Sequence, residues 1–149
     1  MSKLFTARRL SLPVAIALSA LIGACSLFST RATPDKPLVT ITGGKIAVEP
    51  EPLVFKVGGG PVDIVWRTDG KTLFAAENGI VIDGEVAVKD GPIINPRQDE
   101  IVNCRASQDR TTFTCTNKRS RKGLFKYTVR LVQDGKPLPA HDPGIMNLE

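Results

Sequence analysis

The sequence is poor in the residues on which catalytic and metal centres most often depend. Its 149 residues include one histidine, three cysteines and two methionines. One histidine cannot supply a copper site built from two histidines and a cysteine. A serine or cysteine nucleophile needs an oriented base, and His141 lies in a proline-rich stretch close to Pro139 and Pro143. We therefore expect no enzymatic activity, no catalytic residue, no metal site and no cofactor.

The chain also lacks an apolar run long enough to span a membrane as a helix. Its longest predominantly apolar run, residues 10–24, has 15 residues and no charge, whereas a spanning helix needs about 20 apolar residues. Lys3, Arg8 and Arg9 precede this stretch and small residues end it, which is the pattern of a secretory signal peptide. An apolar content of 42% argues against a disordered chain. We expect one exported domain.

The end of the signal peptide resembles the lipobox of bacterial lipoproteins. Leu21-Ile22-Gly23-Ala24-Cys25 gives an aliphatic residue, small residues and then cysteine. The resemblance implies cleavage between Ala24 and Cys25, a diacylglycerol on the Cys25 thiol and acylation of the new amino terminus. Two or more acyl chains anchor a protein stably. Ser26 then implies the periplasmic face of the outer membrane. A plain cleavage site preceding a cysteine is the alternative.

Export changes the meaning of both the charge and the cysteine count. The signal peptide removes three of the 20 basic residues, so 17 remain against 15 acidic residues and the net charge falls from +5 to about +2. If Cys25 carries lipid, Cys104 and Cys115 remain as a pair in an oxidising compartment, where disulfides persist. An exported protein does not meet chromosomal DNA, so we expect no nucleic-acid partner.

Residues 26–37 mix serine, threonine and proline and predict a tether after the acylated Cys25, so that residues 25–37 link the anchor to a domain at 38–149. In the domain, short apolar runs alternate with turn signals, and no helical period is sustained. Turns are predicted at Gly58-Gly59-Gly60-Pro61, at Asn78-Gly79 and at the Asp-Gly pairs 69–70, 83–84, 90–91 and 134–135. Calcium-binding loops would need more clustered oxygens.

About eight short strands in this domain favour an all-β, two-sheet antiparallel sandwich, with a barrel as the alternative. In the last predicted strand, Phe125, Tyr127, Val129 and Leu131 alternate with polar residues, as in a half-buried strand. The predicted strands are Leu38–Ile41, Leu53–Val57, Val62–Arg67, Ile80–Ile82, Val86–Val88, Glu100–Ala106, Thr111–Asn117 and Leu124–Gln133.

The two remaining cysteines predict a hairpin with a disulfide. A turn centred between Asp109 and Arg110 would place Cys104 directly opposite Cys115, at a cross-strand distance suited to a disulfide. The same register pairs Ala106 with Phe113 and Val102 with Asn117. Val102, Cys104, Ala106, Phe113 and Cys115 would then share a core face. A redox-active pair is the alternative, but such cysteines usually occur as Cys-X-X-Cys.

Two sandwich families resemble parts of this pattern. Pro52 to Phe55, Ile64 to Trp66 and the strand at 125–129 are similar to a cupredoxin layout, and an immunoglobulin-like Greek key is the other comparison. The cupredoxin resemblance implies the scaffold without its copper ligands. His141 and Met146 imitate the spacing of a terminal histidine and methionine, but we expect His141 to be an exposed tail residue.

Charged residues suggest one binding surface. Lys118, Arg119, Arg121 and Lys122 lie within five positions and could hold an anionic envelope polymer or an acidic envelope protein. A merely solvated turn is the alternative. The neighbouring carboxylates Glu49/Glu51 and Asp99/Glu100 are expected in solvated loops. Together these patterns favour a non-enzymatic, lipid-anchored envelope protein; a cupredoxin-like accessory protein in copper or redox handling is the alternative, and a small enzyme is least favoured.

Overall fold

The structure, a computed structural model, describes residues 31–149. The predicted signal peptide, Cys25 and the first part of the tether lie outside the described residues. Residues 31–149 contain no helix, and hence none long and apolar enough to cross a membrane. The strands are β1 Leu38–Thr42, β2 Lys45–Glu49, β3 Leu53–Lys56, β4 Val62–Arg67, β5 Thr72–Phe74, β6 Ile80–Val86, β7 Ile93–Asn95, β8 Ile101–Ala106, β9 Thr112–Asn117, β10 Gly123–Val129, β11 Leu131–Gln133, β12 Lys136–Pro137 and β13 Gly144–Leu148.

Two five-stranded sheets pack together, which confirms the predicted all-β sandwich. The first sheet has the order β2-β1-β4-β9-β8, the second β3-β13-β10-β6-β7, and a small third sheet joins β12, β11 and β5. Both large sheets are mixed rather than wholly antiparallel, because β1 runs parallel to β4 and β13 runs parallel to β3. These parallel pairs join strands that are distant along the chain.

Alternating side chains from both large sheets form one core. Trp66 of β4 and Tyr127 of β10 are fully buried, and their ring centroids lie 5.4 Å apart. The Trp66 Nε1–H group donates a hydrogen bond of 3.2 Å to the Tyr127 hydroxyl, so both polar groups are satisfied inside the core. Burial raises the pKa of Tyr127 well above its usual value because ionisation would place a charge there.

The turn predictions are mostly confirmed. Asp134 and Gly135 both adopt positive φ between β11 and β12, as a tight hairpin requires. The prediction at Asp83-Gly84 is wrong, because β6 continues through both residues with an irregularity in its pairing with β10. A Cβ on Gly84 would lie 2.7 Å from the Asn95 carbonyl oxygen, so this glycine permits the close approach of the neighbouring strand.

Three segments differ from their predicted extents. Residues 35–37 already belong to the fold, since the carbonyls of Asp35 and Pro37 accept hydrogen bonds from β4. The predicted strand Leu124–Gln133 divides at Arg130, and its halves join different sheets. The C-terminal region is no tail: β13 lies between β3 and β10, with Ile145 and Asn147 fully buried.

The disulfide hairpin is confirmed, but its predicted core face is wrong. Ala106 pairs with Phe113 as expected, whereas the register shifts before Arg105 and Val102 faces Thr116 instead of Asn117. Asn103 adopts a φ of 55° at this irregularity. Because β8 is an edge strand, the predicted core face does not continue along it: Cys104 and Ala106 are exposed, Val102 is half-buried, and Phe113 and Cys115 are buried on β9.

Candidate functional site

The four predicted basic residues lie within one loop, which joins β9 to β10. Lys118, Arg119, Arg121 and Lys122 lie between Asn117, the last residue of β9, and Gly123, the first of β10. The structure thus brings all four predicted residues to one place. We call residues 118–122 the basic loop.

Three of the four cations face a carboxylate. Lys118 Nζ lies 3.6 Å from Asp99 Oδ2, and Lys122 forms an ion pair with Glu149. Arg121 Nη1 donates a 2.7 Å hydrogen bond to Glu85 Oε1, and its guanidinium lies 5.6 Å from the centre of the Phe125 ring.

The Arg121–Glu85 pair is the best shielded of these contacts. The Glu85 side chain is 17% exposed, whereas the Asp99 and Glu149 side chains are 79% and 78% exposed. The hydrogen bond from Arg121 lowers the pKa of Glu85, and the same bond raises the pKa of Arg121. This pair serves the fold more than a ligand, since a ligand would have to displace a short charge-assisted bond.

Arg119 is committed to the backbone of the glycine turn. Its Nε and Nη2 groups donate hydrogen bonds of 2.6 Å to the carbonyl oxygens of Gly60 and Gly59. In return, the Gly58 amide donates a 3.0 Å bond to the Arg119 carbonyl. A Cβ on Gly59 would lie 2.8 Å from the guanidinium, so the absence of a side chain there makes room for Arg119. The basic loop and the glycine turn therefore form one unit.

A buried carboxylate, that of Glu100, accepts hydrogen bonds from the basic loop. Glu100 is 1% exposed and precedes β8, and its carboxylate accepts a 2.7 Å hydrogen bond from the Ser120 hydroxyl. The Ser120 amide donates to the same carboxylate, and the Arg121 amide lies 3.4 Å from it. Lys118 adds a 2.9 Å bond from its amide to the Glu100 carbonyl. Glu100 thereby occupies the amide donors that an external anion could otherwise have used.

Two buried asparagines extend this network into the second sheet. Asn117 Nδ2 lies 2.8 Å from Asn147 Oδ1, and Asn147 Nδ2 lies 3.1 Å from Asn117 Oδ1. Asn117 Oδ1 also accepts a 3.0 Å bond from the Arg119 amide, and Asn147 Nδ2 lies 3.4 Å from Glu100 Oε1. The loop is therefore bonded to β9 and β13 through groups that are fully buried. A satisfied buried network of this kind restricts the loop to one conformation.

The structure corrects the expectation that Glu100 lies in a solvated loop. Its neighbour Asp99 fits that expectation, but Glu100 points inward to Ser120 and Asn147. Of the carboxylates compared with it, Glu49 is exposed and Glu51 hydrogen-bonds to His141. The only local signal for Glu100 is its position beside the apolar start of β8. Its partners are 20 and 47 residues away, which no local pattern reveals.

The residues that imitate a copper site do not come together. His141 pairs with Val129 and Met146 pairs with Leu124, five positions apart on β10 and hence about 17 Å along the strand. The His141 ring nitrogen lies 2.8 Å from Glu51 Oε2, and its side chain is 32% exposed. Contrary to expectation, His141 belongs to the sheet region rather than to a tail. No group of three or more His, Cys, Asp or Glu within residues 31–149 is arranged to hold a metal ion.

The basic loop can act as a shaped, charge-bearing surface with two adjustable groups. The Lys118 and Lys122 side chains are 41% and 57% exposed, and their acidic partners are more exposed still. Exposed ion pairs contribute about 0–1 kcal/mol, so a ligand can exchange such a partner at small cost. Arg119 and Arg121 instead stabilise the loop through short hydrogen bonds.

A scan against protein-family models matches no family, and a search of the curated proteins finds no match.

Proposed function

We propose that the protein is a non-enzymatic, lipid-anchored binding module of the cell envelope, facing the periplasm from the outer membrane. The lipobox resemblance and the signal-peptide pattern support the anchor and the location. The basic loop supports the binding role, with an anionic envelope polymer as the ligand class. Cupredoxin-like copper handling has no comparable support in the arrangement of His141 and Met146.

The observation that carries the binding role is the buried attachment of the basic loop to Glu100. A loop held in one conformation before binding loses less conformational entropy when a ligand arrives. The buried carboxylate bonds the backbone around Ser120, while Lys118 and Lys122 keep exposed ammonium groups. A rigid backbone with mobile lysine side chains can contact several charges along a repeating anionic polymer, which a single deep pocket could not do.

The charge around the loop sets the expected strength of binding. Asp99 and Glu149 compete with a ligand for the two lysines, so we expect modest affinity. Both ammonium groups are solvated, so binding should weaken as salt screens them over a Debye length of about 10 Å at 0.1 M. A lipid probe would enter the detergent micelle that holds the acylated protein, so its apparent binding would not report on the basic loop. A water-soluble probe avoids this problem.

The test uses the mature protein in detergent and soluble peptidoglycan fragments whose stem peptides carry carboxylates. Isothermal titration should show binding that weakens with salt and falls at least about tenfold in Lys118→Glu/Lys122→Glu, since two favourable charge contacts become repulsive. Lys45→Glu/Lys136→Glu is the matched control, because both residues are exposed and lie on β2 and β12. Absence of binding, or equal loss in both double variants, would contradict the proposed role of the loop.

A further inference from the structure

An apolar row crosses the outward face of the second sheet from edge to edge. Val54 of β3 pairs with Met146 of β13, Met146 with Leu124 of β10, Leu124 with Val86 of β6, and Val86 with Ile93 of β7. Directly paired residues of neighbouring strands project from the same side of a sheet. Five aligned positions on five strands are therefore apolar on the outward side of this sheet; Val54 and Ile93 at its edges are exposed, Met146 and Leu124 are half-buried and Val86 is buried.

Four of the five exposed large hydrophobic residues of the described chain lie on this side of the molecule or at its margin. Val54, Ile93 and Leu148 are 43%, 43% and 44% exposed, and Val88, between β6 and β7, is 63% exposed. Ile94 is 60% exposed on the edge strand β7, where its side chain alternates with that of Ile93. We call this surface, with the apolar row, the apolar face. A concentration of exposed apolar residues on one face is typical of an interaction surface.

The corresponding face of the first sheet is polar. On β9, Thr112, Thr114 and Thr116 alternate with the buried residues, and their partners on β4 are Arg67, Val65 and Asp63, of which only Val65 is apolar. The two sides of the sandwich therefore differ sharply in character. Solvation alone explains the polar side, but the apolar side calls for a partner.

A shallow groove of about 50 Å³ lies in the apolar face. Leu124, Met146 and Val86 contribute to it, and Pro52 and Pro143 line it further. Its charged lining residues are Glu51, Lys89, Asp90, Lys126 and Asp142. The groove has room for part of one apolar side chain but not for a sizeable small-molecule ligand, whose pockets usually exceed about 300 Å³.

Charges around the apolar face are balanced. Lys126 lies 3.7 Å from Asp142 and Lys122 pairs with Glu149, both at the margins of the row. Lys56, which pairs with Leu148 in the strand register, adds a cation. The charges that strand pairing, ion pairs and the groove lining place beside the row are Lys56, Lys89, Lys122 and Lys126 with Glu51, Asp90, Asp142 and Glu149. Four charges of each sign do not repel an identical surface, whereas an anionic membrane would favour an excess of cations.

The chain enters the domain on the opposite side. Arg31 and Thr33 line a hollow together with Val65 and Arg67 of the first sheet, and the Asp35 carbonyl accepts a hydrogen bond from Val65. Residues 31–37 therefore lie against the first sheet. The apolar face belongs to the second sheet, so these residues do not cover it.

We propose that the apolar face binds a second copy of this chain in a two-fold symmetric dimer. The same patch then serves both partners, the apolar rows pack together and the balanced rim charges of each copy meet opposite charges on the other. Five strands about 4.8 Å apart make the face about 20 Å wide. The five strands average about five residues and are hence about 17 Å long, which gives an area of about 340 Å². A standard stable interface buries about 800 Å² per partner, so we infer a weak dimer that confinement to one membrane favours. The inference does not depend on the basic loop, and only the effect of confinement rests on the proposed lipid anchor.

The test places a photoreactive phenylalanine analogue in the full-length protein at Val54 or Ile93, in cells that express two differently tagged copies. Both residues are exposed, so the substitutions should leave the fold intact. Irradiation should give a product that carries both tags and contains peptides of this chain only. The analogue at Thr114, on the polar side, is the matched control and should give no such product.

A second variant separates packing from chance proximity. Leu148→Lys places charge beside the apolar row and should reduce the two-tag product from Ile93 at least about fivefold, while a thermal unfolding midpoint within about 2 °C of the original shows that the fold is intact. The proposal is overturned if Val54 and Ile93 crosslink only to another protein, crosslink only to lipid, give no product, or give as much two-tag product as Thr114.

Discussion

Replacing Glu100 by glutamine should cost more stability than any neighbouring surface change, because its carboxylate supports the basic loop from inside the protein. Glu100 is 1% exposed and accepts bonds from the amide and hydroxyl of Ser120. Hydrogen bonds to charged groups contribute about 1.5–3 kcal/mol and neutral ones about 1 kcal/mol. Making two such bonds neutral should therefore lower the free energy of unfolding by about 2 kcal/mol. Glu100→Ala, which removes both acceptors, should lower it by about 3–5 kcal/mol.

Asp99→Asn provides the matched control. Asp99 is adjacent in sequence, but its side chain is 79% exposed and its contact with Lys118 is 3.6 Å long, so we expect a loss below about 0.5 kcal/mol. Urea unfolding followed by the fluorescence of the single tryptophan, Trp66, measures each loss, because Trp66 is fully buried in the folded state. Amide exchange should also accelerate at Ser120 in Glu100→Gln. Equal stability losses for Glu100→Gln and Asp99→Asn would refute the reasoning.

Three further predictions follow from the core and the hairpin. Cys104→Ala/Cys115→Ala should lower the free energy of unfolding by about 3 kcal/mol, since the chain-entropy model gives about that value for a loop closed across 11 residues; a urea midpoint unchanged from the oxidised protein would oppose this. The pKa of Glu85 lies below its usual value of 4.5, so its stabilising contribution is present above that pH and is lost as the pH falls through the lowered folded-state pKa. In Glu85→Gln, the free energy of unfolding measured with urea should therefore fall less steeply with acidification. An unchanged fall would count against this prediction. The pKa of Tyr127 is raised above 10.0, so stability should fall as the pH rises above that value. Tyr127→Phe should lower the free energy of unfolding by about 1–2 kcal/mol at pH 7 and remove part of the alkaline decline in the melting temperature. The prediction is wrong if neither change is seen.

Local alternation was sufficient to predict several strands and their buried faces. Val62–Arg67 is observed as predicted, with Ile64 and Trp66 buried, because its sequence alternates in step with a half-exposed strand. The hairpin disulfide could also be predicted from the sequence, because the position of the turn between the two cysteines fixes the approximate register of the two strands. The bulge at Asn103 was not, because an edge strand can shift without burying or exposing a large apolar surface.

Features that depend on distant partners were missed. The strand β13 is short and follows several prolines, and its identity as a strand comes from pairing with β3 and β10. Glu100 and Asp99 are adjacent acids with opposite environments, and only the positions of Ser120 and Asn147 distinguish them. In the basic loop, sequence proximity predicted that the four cations gather, whereas their individual partners, such as Glu85 for Arg121, follow from the fold.

Mass spectrometry of the N-terminal peptide of the protein purified from membranes tests the proposed lipid-anchored envelope role most directly. If Cys25 is the anchor, the mature chain begins at Cys25 and the peptide carries a thioether-linked diacylglycerol and an N-linked acyl chain. Cys25→Ala should abolish both the lipid mass and retention in the membrane fraction. A mature chain with unmodified Cys25, or a Cys25→Ala protein that stays in the membrane fraction without lipid, would contradict the account.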